Sequence, residues 1–297
     1  MTSLVEPQRT MENKTEIAVG AREFDETAGS YEEGNGGCTT AIAARLAELC
    51  GPITKDSYVL DCAAGPGIVI DELLNSKLHD AKAARYAVVE PAPRMMDIAR
   101  KKIESQWGIP ASNIATFVKP AEELESLGIQ PSELTHAFAN AGIMFFSDPD
   151  GAASSIYKLL KPDGVALITT FKHIGYIPPV AKACQQIRPG EDPFKLLMED
   201  EWYQTSKLEK VMRGAGFTDV EMLTMDAPMT RATVEIVADS IVETFTDLWK
   251  EKGWTKAEFE AFTKALIAVL REDKENVWMD EAGVHIKMIA HIAICKK

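Results

Sequence analysis

The chain has 297 residues, of which 46% are hydrophobic, and this is enough to build a full core for one large α/β domain. Its 45 acidic residues outnumber its 32 basic residues and give a net charge of −13, which argues against a nucleic-acid substrate and against anionic membrane surfaces. Five scattered cysteines without a C-x-x-C pair argue against a zinc site or a disulfide framework and fit a cytoplasmic protein. No apolar run approaches the length of a transmembrane helix.

The first segment, residues 1–22, is polar and lacks the apolar centre of a signal peptide. We expect it to be a flexible leader to a single domain over residues 23–297. The first long helix is predicted over 41–50, where Ile42, Leu46 and Leu49 share one face and Gly51 follows.

A glycine turn between a strand and a helix organises the chain. The apolar run 57–62 predicts a buried strand, Gly65 and Gly67 follow it, and residues 68–74 predict a helix. Glycines there allow a ligand to approach the backbone, and a helix N-terminus attracts polar or anionic groups. About 20 residues later a second apolar strand ends in Glu90, an acid whose position suits a ribose diol.

Five further strands are predicted from apolar and alternating runs. They lie at 115–118, 134–138, 165–171, 217–223 and 283–294. Helices are predicted at 91–107 and 151–160, and the pattern Ser206-x-x-Glu209 predicts a capping box for a short helix that ends at Gly214.

Two segments between the strands are predicted to be lids. Residues 172–198 carry four prolines and predict an irregular lid, and residues 226–282 predict a helical pair in which Thr255-x-x-Glu258 caps the second helix. This pair would roof an acceptor pocket, with Phe245, Trp249 and Trp254 available as walls. Alternatively, these aromatic residues only pack the two helices together.

The phrase Leu60-Asp61-x-Ala63-x-Gly65-Pro66-Gly67, followed by Glu90, resembles the class I S-adenosylmethionine-dependent methyltransferases. The phrase Leu159-Leu160-Lys161-Pro162-Asp163-Gly164 is also typical of that family. Ala63 replaces the first glycine of the usual loop, which narrows the backbone conformations there. The resemblance and the alternating elements predict an α/β fold: a Rossmann-like, doubly wound sheet of seven strands whose last strand is antiparallel.

The resemblance implies a binding site for S-adenosyl-L-methionine. The residues that match the family's cofactor positions are Tyr31, Asp61, Ala63, Gly65, Gly67, Glu90, Pro91, Met95, Ala121, Glu122, Asn140 and Ala141. Three of them have plain structural alternatives. Met95 could be a core residue, Glu122 could belong to a solvated charge pair, and Asn140 could cap a turn.

Residues 24–35 resemble the N-terminal cofactor lid of the quinone-biosynthesis-like methyltransferases, and this places Tyr31 over the cofactor near its methyl group. The alternative is an entry helix with Tyr31 packed on the core. Methyl transfer is an in-line displacement that needs mainly proximity and alignment, with a general base where the acceptor is a hydroxyl or thiol. His173, at the end of the fifth strand, is the best-placed base, although many members of the family need none. Tyr31, Asn140 and His173 are therefore the candidate catalytic residues.

The acceptor-facing segments most resemble fungal secondary-metabolite methyltransferases, which implies a small-molecule acceptor methylated on oxygen, sulfur or nitrogen. The fold alone does not fix the reaction. A protein of this fold could also retain the cofactor and catalyse a rearrangement, or only bind a metabolite. A nicotinamide dehydrogenase is disfavoured because the third glycine of G-x-G-x-x-G is absent. The sequence leaves the oligomeric state open.

Overall fold

The computed structural model describes residues 21–196 and 198–297. The predicted leader therefore lies outside the described residues except for its last two positions. The described strands are β1 (Tyr58–Cys62), β2 (Arg85–Val89), β3 (Ile114–Phe117), β4 (Leu134–Ala139), β5 (Leu160–Ile174), β6 (Asp219–Asp226), β7 (Met229–Arg231), β8 (Val277–Asp280), β9 (Gly283–Ile286) and β10 (Met288–Lys296). The described α-helices are α1 (Arg22–Glu26), α2 (Tyr31–Gly34), α3 (Cys38–Leu49), α4 (Ile68–Asn75), α5 (Pro93–Lys102), α6 (Pro149–Leu159), α7 (Ile177–Ile187), α8 (Thr205–Gly214), α9 (Val234–Glu251) and α10 (Lys256–Glu272).

Seven strands form one sheet in the order β3-β2-β1-β4-β5-β10-β6. The pairs among β1 to β5 are parallel, and β10 runs antiparallel to both β5 and β6. This confirms the predicted Rossmann-like sheet with an antiparallel last strand. Every residue of β4 is buried, and Val59 and Leu60 of β1 are fully buried. Strands covered on both faces carry continuous apolar runs, which explains why these two were readable from the sequence.

The predicted last strand, residues 283–294, is two strands in the structure. β9 belongs to a separate three-stranded antiparallel sheet in the order β7-β9-β8, and β10 belongs to the main sheet. The break falls at Lys287, whose N–H donates to the carbonyl oxygen of Asn276 and whose carbonyl oxygen accepts from the N–H of Gly175. Apolar residues at every second position, from Val284 to Ile294, continue in one phase through both strands, so the sequence pattern does not indicate the change of sheet.

The predicted irregular lid contains a regular helix, α7. Pro178 and Pro179 fall in its first turn, where a helix needs no N–H donor, so they start the helix instead of breaking it. The predicted capping box at Ser206 does not form, because α8 begins at Thr205 with Gln204 as its N-cap residue. The capping box at Thr255 and Glu258 forms as predicted and opens α10.

All five cysteines are buried and free. Across the two described ranges, we find no helix with both the length and the apolar character required to cross a bilayer.

Candidate active site

The glycine turn after β1 takes left-handed backbone conformations at three positions. The φ angles of Ala63, Gly65 and Gly67 are 56°, 55° and 88°. A Cβ atom on Gly65 would meet no atom within 4 Å, so open space lies beside this residue. A Cβ atom on Gly67 would lie 2.6 Å from the ring of Trp107. Gly67 therefore makes room for a packed indole, and Gly65 leaves a cradle for a ligand.

Ala63, which stands where the methyltransferase loop usually has glycine, packs against a glycine of another loop. Its left-handed conformation is strained for a residue with a Cβ atom, and that Cβ lies 2.6 Å from where a Cβ of Gly142 would stand. Gly142 must therefore remain a glycine. The loop that follows β1 carries the Ala63 side chain, and the loop that follows β4 can pack against it because Gly142 has none.

Glu90 lies just beyond the end of β2 and is 5% exposed. Its Oε2 accepts a hydrogen bond from the N–H of Gly65 (2.8 Å), and its Oε1 accepts one from the N–H of Ala92 (2.9 Å). Burial raises the pKa of Glu90 to about 7, although these two amides favour its ionised form. A carboxylate offers about four lone-pair positions, so roughly two remain for a ligand's hydroxyl groups.

Asp61 is fully buried in β1, and neither of its carboxylate oxygens has a hydrogen-bond partner within the described structure. Burial raises its pKa to about 8, and the nearby charges of Glu90 and Asp71 act in the same direction. An isolated buried carboxylate is costly unless it is protonated or paired. A cationic ligand group would supply the missing partner.

The residues assigned to adenine surround the neighbouring edge. Met95 is 1% exposed and belongs to a small cluster of buried residues that includes Ala92, with Phe24 and Tyr31 packed against it. Met95 therefore lies on the face of α5 that packs against the N-terminal helices. Ala121 is buried, whereas Pro91, at the end of β2, is partly exposed.

Glu122 is bound to the loop that follows β4. Its Oε1 accepts from the hydroxyl of Ser147 (2.8 Å) and from the N–H of Asp148 (3.0 Å). Burial opposes ionisation, but these hydrogen bonds outweigh it and hold the pKa of Glu122 below its usual value. Glu122 thus keeps a negative charge in the turn that follows β3.

The N-terminal helices α1 and α2 are fastened over the strand ends. The N–H of Arg94 donates to Oδ1 of Asp25 (2.6 Å). The ammonium of Lys102 lies 2.7 Å from a carboxylate oxygen of Glu32 in α2 and 2.7 Å from one of Asp71 in α4. These contacts place Tyr31 against the ligand-binding edge of the sheet.

A cavity of about 400 Å³, which we call the main cavity, opens beside this edge. Tyr31, Thr39 and Ala141 line it on the side of the strand ends. Its walls are mainly aromatic and aliphatic and include Phe24, Phe145, Phe146, Phe171, Trp202 and Phe245. Among the described residues that line it, only Lys195 and Glu199 are charged, so the main cavity suits an apolar organic molecule.

The predicted aromatic roof is only partly correct. Phe245 lines the main cavity, whereas Trp249 and Trp254 do not line it. These two indoles stack on each other with centroids 5.4 Å apart and pack against Phe262. They pack α9 against α10, so these two residues follow the alternative prediction, in which the aromatic residues only pack the two helices together.

Asn140 is held in a structural network at the end of β4. Its Nδ2 donates to the carbonyl oxygen of Thr39 (3.0 Å), and its Oδ1 accepts from the hydroxyl of Thr169 (3.0 Å). The same hydroxyl accepts from the N–H of Ala141 (2.7 Å). Asn140 therefore joins α3, β4 and β5 and shapes the loop that presents Ala141 to the main cavity.

His173 is not among the residues that line the main cavity. It lines a second cavity of about 350 Å³ and shares a short hydrogen bond with Asn276. The structure thus brings Tyr31 and Asn140 to the edge where the residues predicted to bind the cofactor lie, but it does not bring His173 to the same wall.

Three ionisable residues of the main cavity are poor bases near neutral pH. Burial raises the pKa of Cys38 to about 12 and raises those of Tyr31 and Tyr176 well above that of a free phenol. The nearby charge of Glu90 also raises the pKa of Tyr31. Sequence reasoning missed Cys38 and Tyr176. Cys38 follows the lid directly and could have been proposed, whereas α7 was not predicted and Tyr176 gave no signal.

A family model described as a methyltransferase domain matches residues 37–222, more than half of the chain. Among solved structures, the YcgJ protein of Bacillus subtilis is 16% identical, with a TM-score of 0.50 over 87% of this chain and 98% of that one. Phosphoethanolamine N-methyltransferase 2 of Haemonchus contortus, in complex with S-adenosyl-L-methionine, is 15% identical, with a TM-score of 0.54 over 95% of this chain and 60% of that one. The [4+2]-cyclase SpnF is 15% identical, with a TM-score of 0.54 over 93% of this chain and 94% of that one. At these identities the structures show a common fold, and with the matched family they support S-adenosylmethionine as the cofactor.

Proposed function

Because this chain belongs to the methyltransferase domain family, we propose that it transfers a methyl group from S-adenosylmethionine to a small, mainly apolar organic acceptor. The observation that carries the proposal is the position of the main cavity. It adjoins the carboxyl ends of the strands and shares Tyr31 and Ala141 with the candidate cofactor site. In open α/β sheets, ligands bind at this edge.

The residues at the edge fit the cofactor. Glu90 would accept hydrogen bonds from the ribose hydroxyls with the lone pairs that Gly65 and Ala92 leave free. The unpartnered carboxylate of Asp61 would pair with the cationic amino-acid end. The adenine would lie near Met95. When bound, the cofactor supplies an electrophilic methyl group on a sulfonium centre.

The remaining cofactor contacts follow from the loops. Ala63, Gly65 and Gly67 shape the backbone under the ligand, and Pro91, Ala121, Glu122 and Asn140 complete the rim of the site. We assign Glu122 to the exocyclic amino group of adenine, with its carboxylate held in place by Ser147 and Asp148.

This chain's own contribution to the reaction is positioning. Tyr31 would form the wall between cofactor and acceptor, and Asn140 would fix the loop that faces the methyl group. None of Tyr31, Cys38 and Tyr176 readily accepts a proton at neutral pH, because their pKa values are raised. The acceptor that suits this site carries an atom that is already nucleophilic, such as an amine, a thiolate or an ionised hydroxyl. Alignment alone can supply a large part of the rate.

The finer assignment is a fungal-type secondary-metabolite methyltransferase that acts on oxygen, sulfur or nitrogen. The apolar main cavity supports a small-molecule acceptor. We also propose that residues 23–297 form one methyltransferase domain in which segments 172–198 and 226–282 cover the acceptor. Phe245 of the second segment and Lys195 of the first both line the main cavity.

A second candidate is a rearrangement on the same fold. It is favoured by the absence of an effective base among Tyr31, Cys38 and Tyr176, since a pericyclic step transfers no proton to the protein. SpnF is a cyclase, which shows that this fold also accommodates such chemistry.

The test is an incubation with S-adenosylmethionine that carries a deuterated methyl group, together with a metabolite extract, followed by mass spectrometry. Methyl transfer predicts a product that carries the labelled methyl group, and Glu90→Ala should greatly reduce its amount. An isomerised compound without label would instead support the rearrangement.

A further inference from the structure

The second cavity lies beside the main cavity, and the two share the wall formed by Ile174, Lys195 and Leu196. Its polar lining residues are Lys172, His173, Lys195, Asp200 and Tyr203. A molecule longer than the main cavity could therefore extend across this wall and place a polar end there.

A β-bulge directs His173 into the second cavity. In the pairing of β5 with β10, His173 faces Ile289 and Phe171 faces Ala290, so Lys172 is an extra residue with no partner. A bulge changes which face the following side chains occupy. Without it, Phe171 and His173 would share a face. With it, Phe171 and Ile174 line the main cavity while His173 does not.

A chain of hydrogen bonds fixes the tautomer of His173. Nδ2 of Asn276 donates to a carboxylate oxygen of Asp273 (2.9 Å), so its Oδ1 is the atom that lies 2.7 Å from Nε2 of His173. An amide oxygen only accepts, so Nε2 must carry the hydrogen. In the neutral imidazole Nδ1 is therefore the nitrogen without a hydrogen, and within the described structure it makes no hydrogen bond. Asn276 is 4% exposed, and its buried position makes this arrangement rigid.

The charges of the second cavity favour an anion beside this nitrogen. Lys172 has no carboxylate oxygen within 4 Å in the described structure, whereas Lys195 is paired with Asp200 at 3.1 Å. Burial raises the pKa of Tyr203 to about 12, so its hydroxyl stays neutral. The second cavity is thus lined by the exposed, unpaired Lys172, by the neutral phenol of Tyr203 and by the imidazole of His173, while the one acid among its described lining residues, Asp200, is paired with Lys195.

We propose that the second cavity binds an acidic hydroxyl, phenolic or carboxylic, at the far end of an otherwise apolar acceptor, with Nδ1 of His173 as its partner. A phenol brings the proton that it shares with or passes to Nδ1. A carboxylic acid is already ionised at neutral pH and binds together with one proton that Nδ1 takes up from solvent. In both cases Nε2 keeps its hydrogen, directed at Oδ1 of Asn276, and the anion is balanced by Lys172. His173 is then a specificity-determining residue, remote from the methyl transfer. This inference rests on the proposed function, because it concerns the acceptor of that site.

The test uses two pairs of aromatic probes, titrated calorimetrically into the full-length protein saturated with S-adenosylhomocysteine. One pair is 2-naphthoic acid and its methyl ester, and the other is 2-naphthol and 2-methoxynaphthalene. The uncapped member of at least one pair should bind about tenfold more tightly than its capped partner, and the two pairs distinguish a carboxylic from a phenolic preference. His173→Phe should abolish the preference and Lys172→Met should reduce it. Lys161→Met, which removes an exposed lysine from the other end of β5, should leave it unchanged.

Three results would overturn the inference. They are equal binding of capped and uncapped probes, a preference that survives His173→Phe, and no binding of any of the four probes. Nitrogen-15 NMR gives an independent readout, because His173 should carry its hydrogen on Nε2, and an Nδ1–H tautomer would also overturn it. Failure of the proposed function looks different, because it would appear as loss of S-adenosylhomocysteine binding by the wild-type protein.

Discussion

Replacing Glu90 separates the cofactor role of this carboxylate from its structural role. Glu90→Ala leaves the N–H groups of Gly65 and Ala92 without their acceptors. Each unsatisfied buried amide costs roughly 1–3 kcal/mol, so the two together should lower the free energy of unfolding by about 2–6 kcal/mol. Removal of the buried acid, whose pKa is raised to about 7, offsets part of this loss at pH 7. Loss of the ribose contacts should cost about 3 kcal/mol or more of binding free energy, on the order of a hundredfold in affinity.

Glu90→Gln is the graded comparison. Its amide oxygen can still accept one of the two backbone N–H groups, but its NH₂ group faces the other N–H as a second donor. We expect an intermediate loss of affinity, roughly tenfold. Glu221→Ala, which removes an exposed acid of β6, is the matched control and should change neither stability nor affinity.

The assay is calorimetric titration with S-adenosylhomocysteine, at a temperature where chemical unfolding shows every variant to be folded. The use of the demethylated product removes turnover from the measurement. If wild type and both variants bound equally well, Glu90 would be only a loop anchor. If Glu90→Ala lost stability but kept its affinity, the ribose assignment would be wrong and the hydrogen-bond account would stand.

Three further predictions concern stability and the N-terminal cover. Asp61→Asn removes a carboxyl group whose pKa in the folded state, about 8, exceeds its value in the unfolded state. At pH 7 the substitution should therefore raise the free energy of unfolding by a few kcal/mol, and it should weaken S-adenosylhomocysteine binding. A variant that urea unfolding shows to be destabilised would contradict this. Burial lowers the pKa of His136 to about 4, so the unfolded state takes up a proton on this residue at a higher pH than the folded state does. The free energy of unfolding should therefore fall by about 3 kcal/mol as the pH drops from about 6.5 to 4. Urea unfolding across this range should show a smaller loss for His136→Gln, and the same dependence of stability on pH in both proteins would refute the lowered pKa. Lys102→Met removes the ion pairs that Lys102 makes with Glu32 of α2 and with Asp71 of α4, so it should speed proteolysis near Glu32 and weaken cofactor binding. Lys101→Met, which removes an exposed lysine, should match wild type. Identical digestion of all three proteins would show that these ion pairs do not hold α2 in place.

The part of the site that lies next to the glycine turn could be predicted from the sequence. The apolar run of β1, the glycines and the acid after β2 are local signals, and local signals fix both the elements and the sheet edge at which they meet. Glu90 and Asp61 are buried at that edge as the motif requires. The sequence could not show that Glu90 also binds two backbone amides, because this depends on how two loops pack.

The remainder of the site depends on long-range packing. The bulge at Lys172 is a matter of register between β5 and β10, which are far apart in the sequence, and it decides which cavity His173 enters. Asn276 lies in the short segment between α10 and β8, and no local sequence pattern predicts its hydrogen bond to His173. Helix α7 was hidden because its prolines were read as breakers, although both lie where a helix tolerates them.

The central claim is that this chain transfers a methyl group, and the stoichiometry of transfer tests it most directly. Each compound that gains mass in the extract is purified and returned to the protein with S-adenosylmethionine bearing a deuterated methyl group. We predict one S-adenosylhomocysteine formed for each labelled product, with both signals greatly reduced in Glu90→Ala. A product that is isomerised, unlabelled and formed without S-adenosylhomocysteine would contradict methyl transfer.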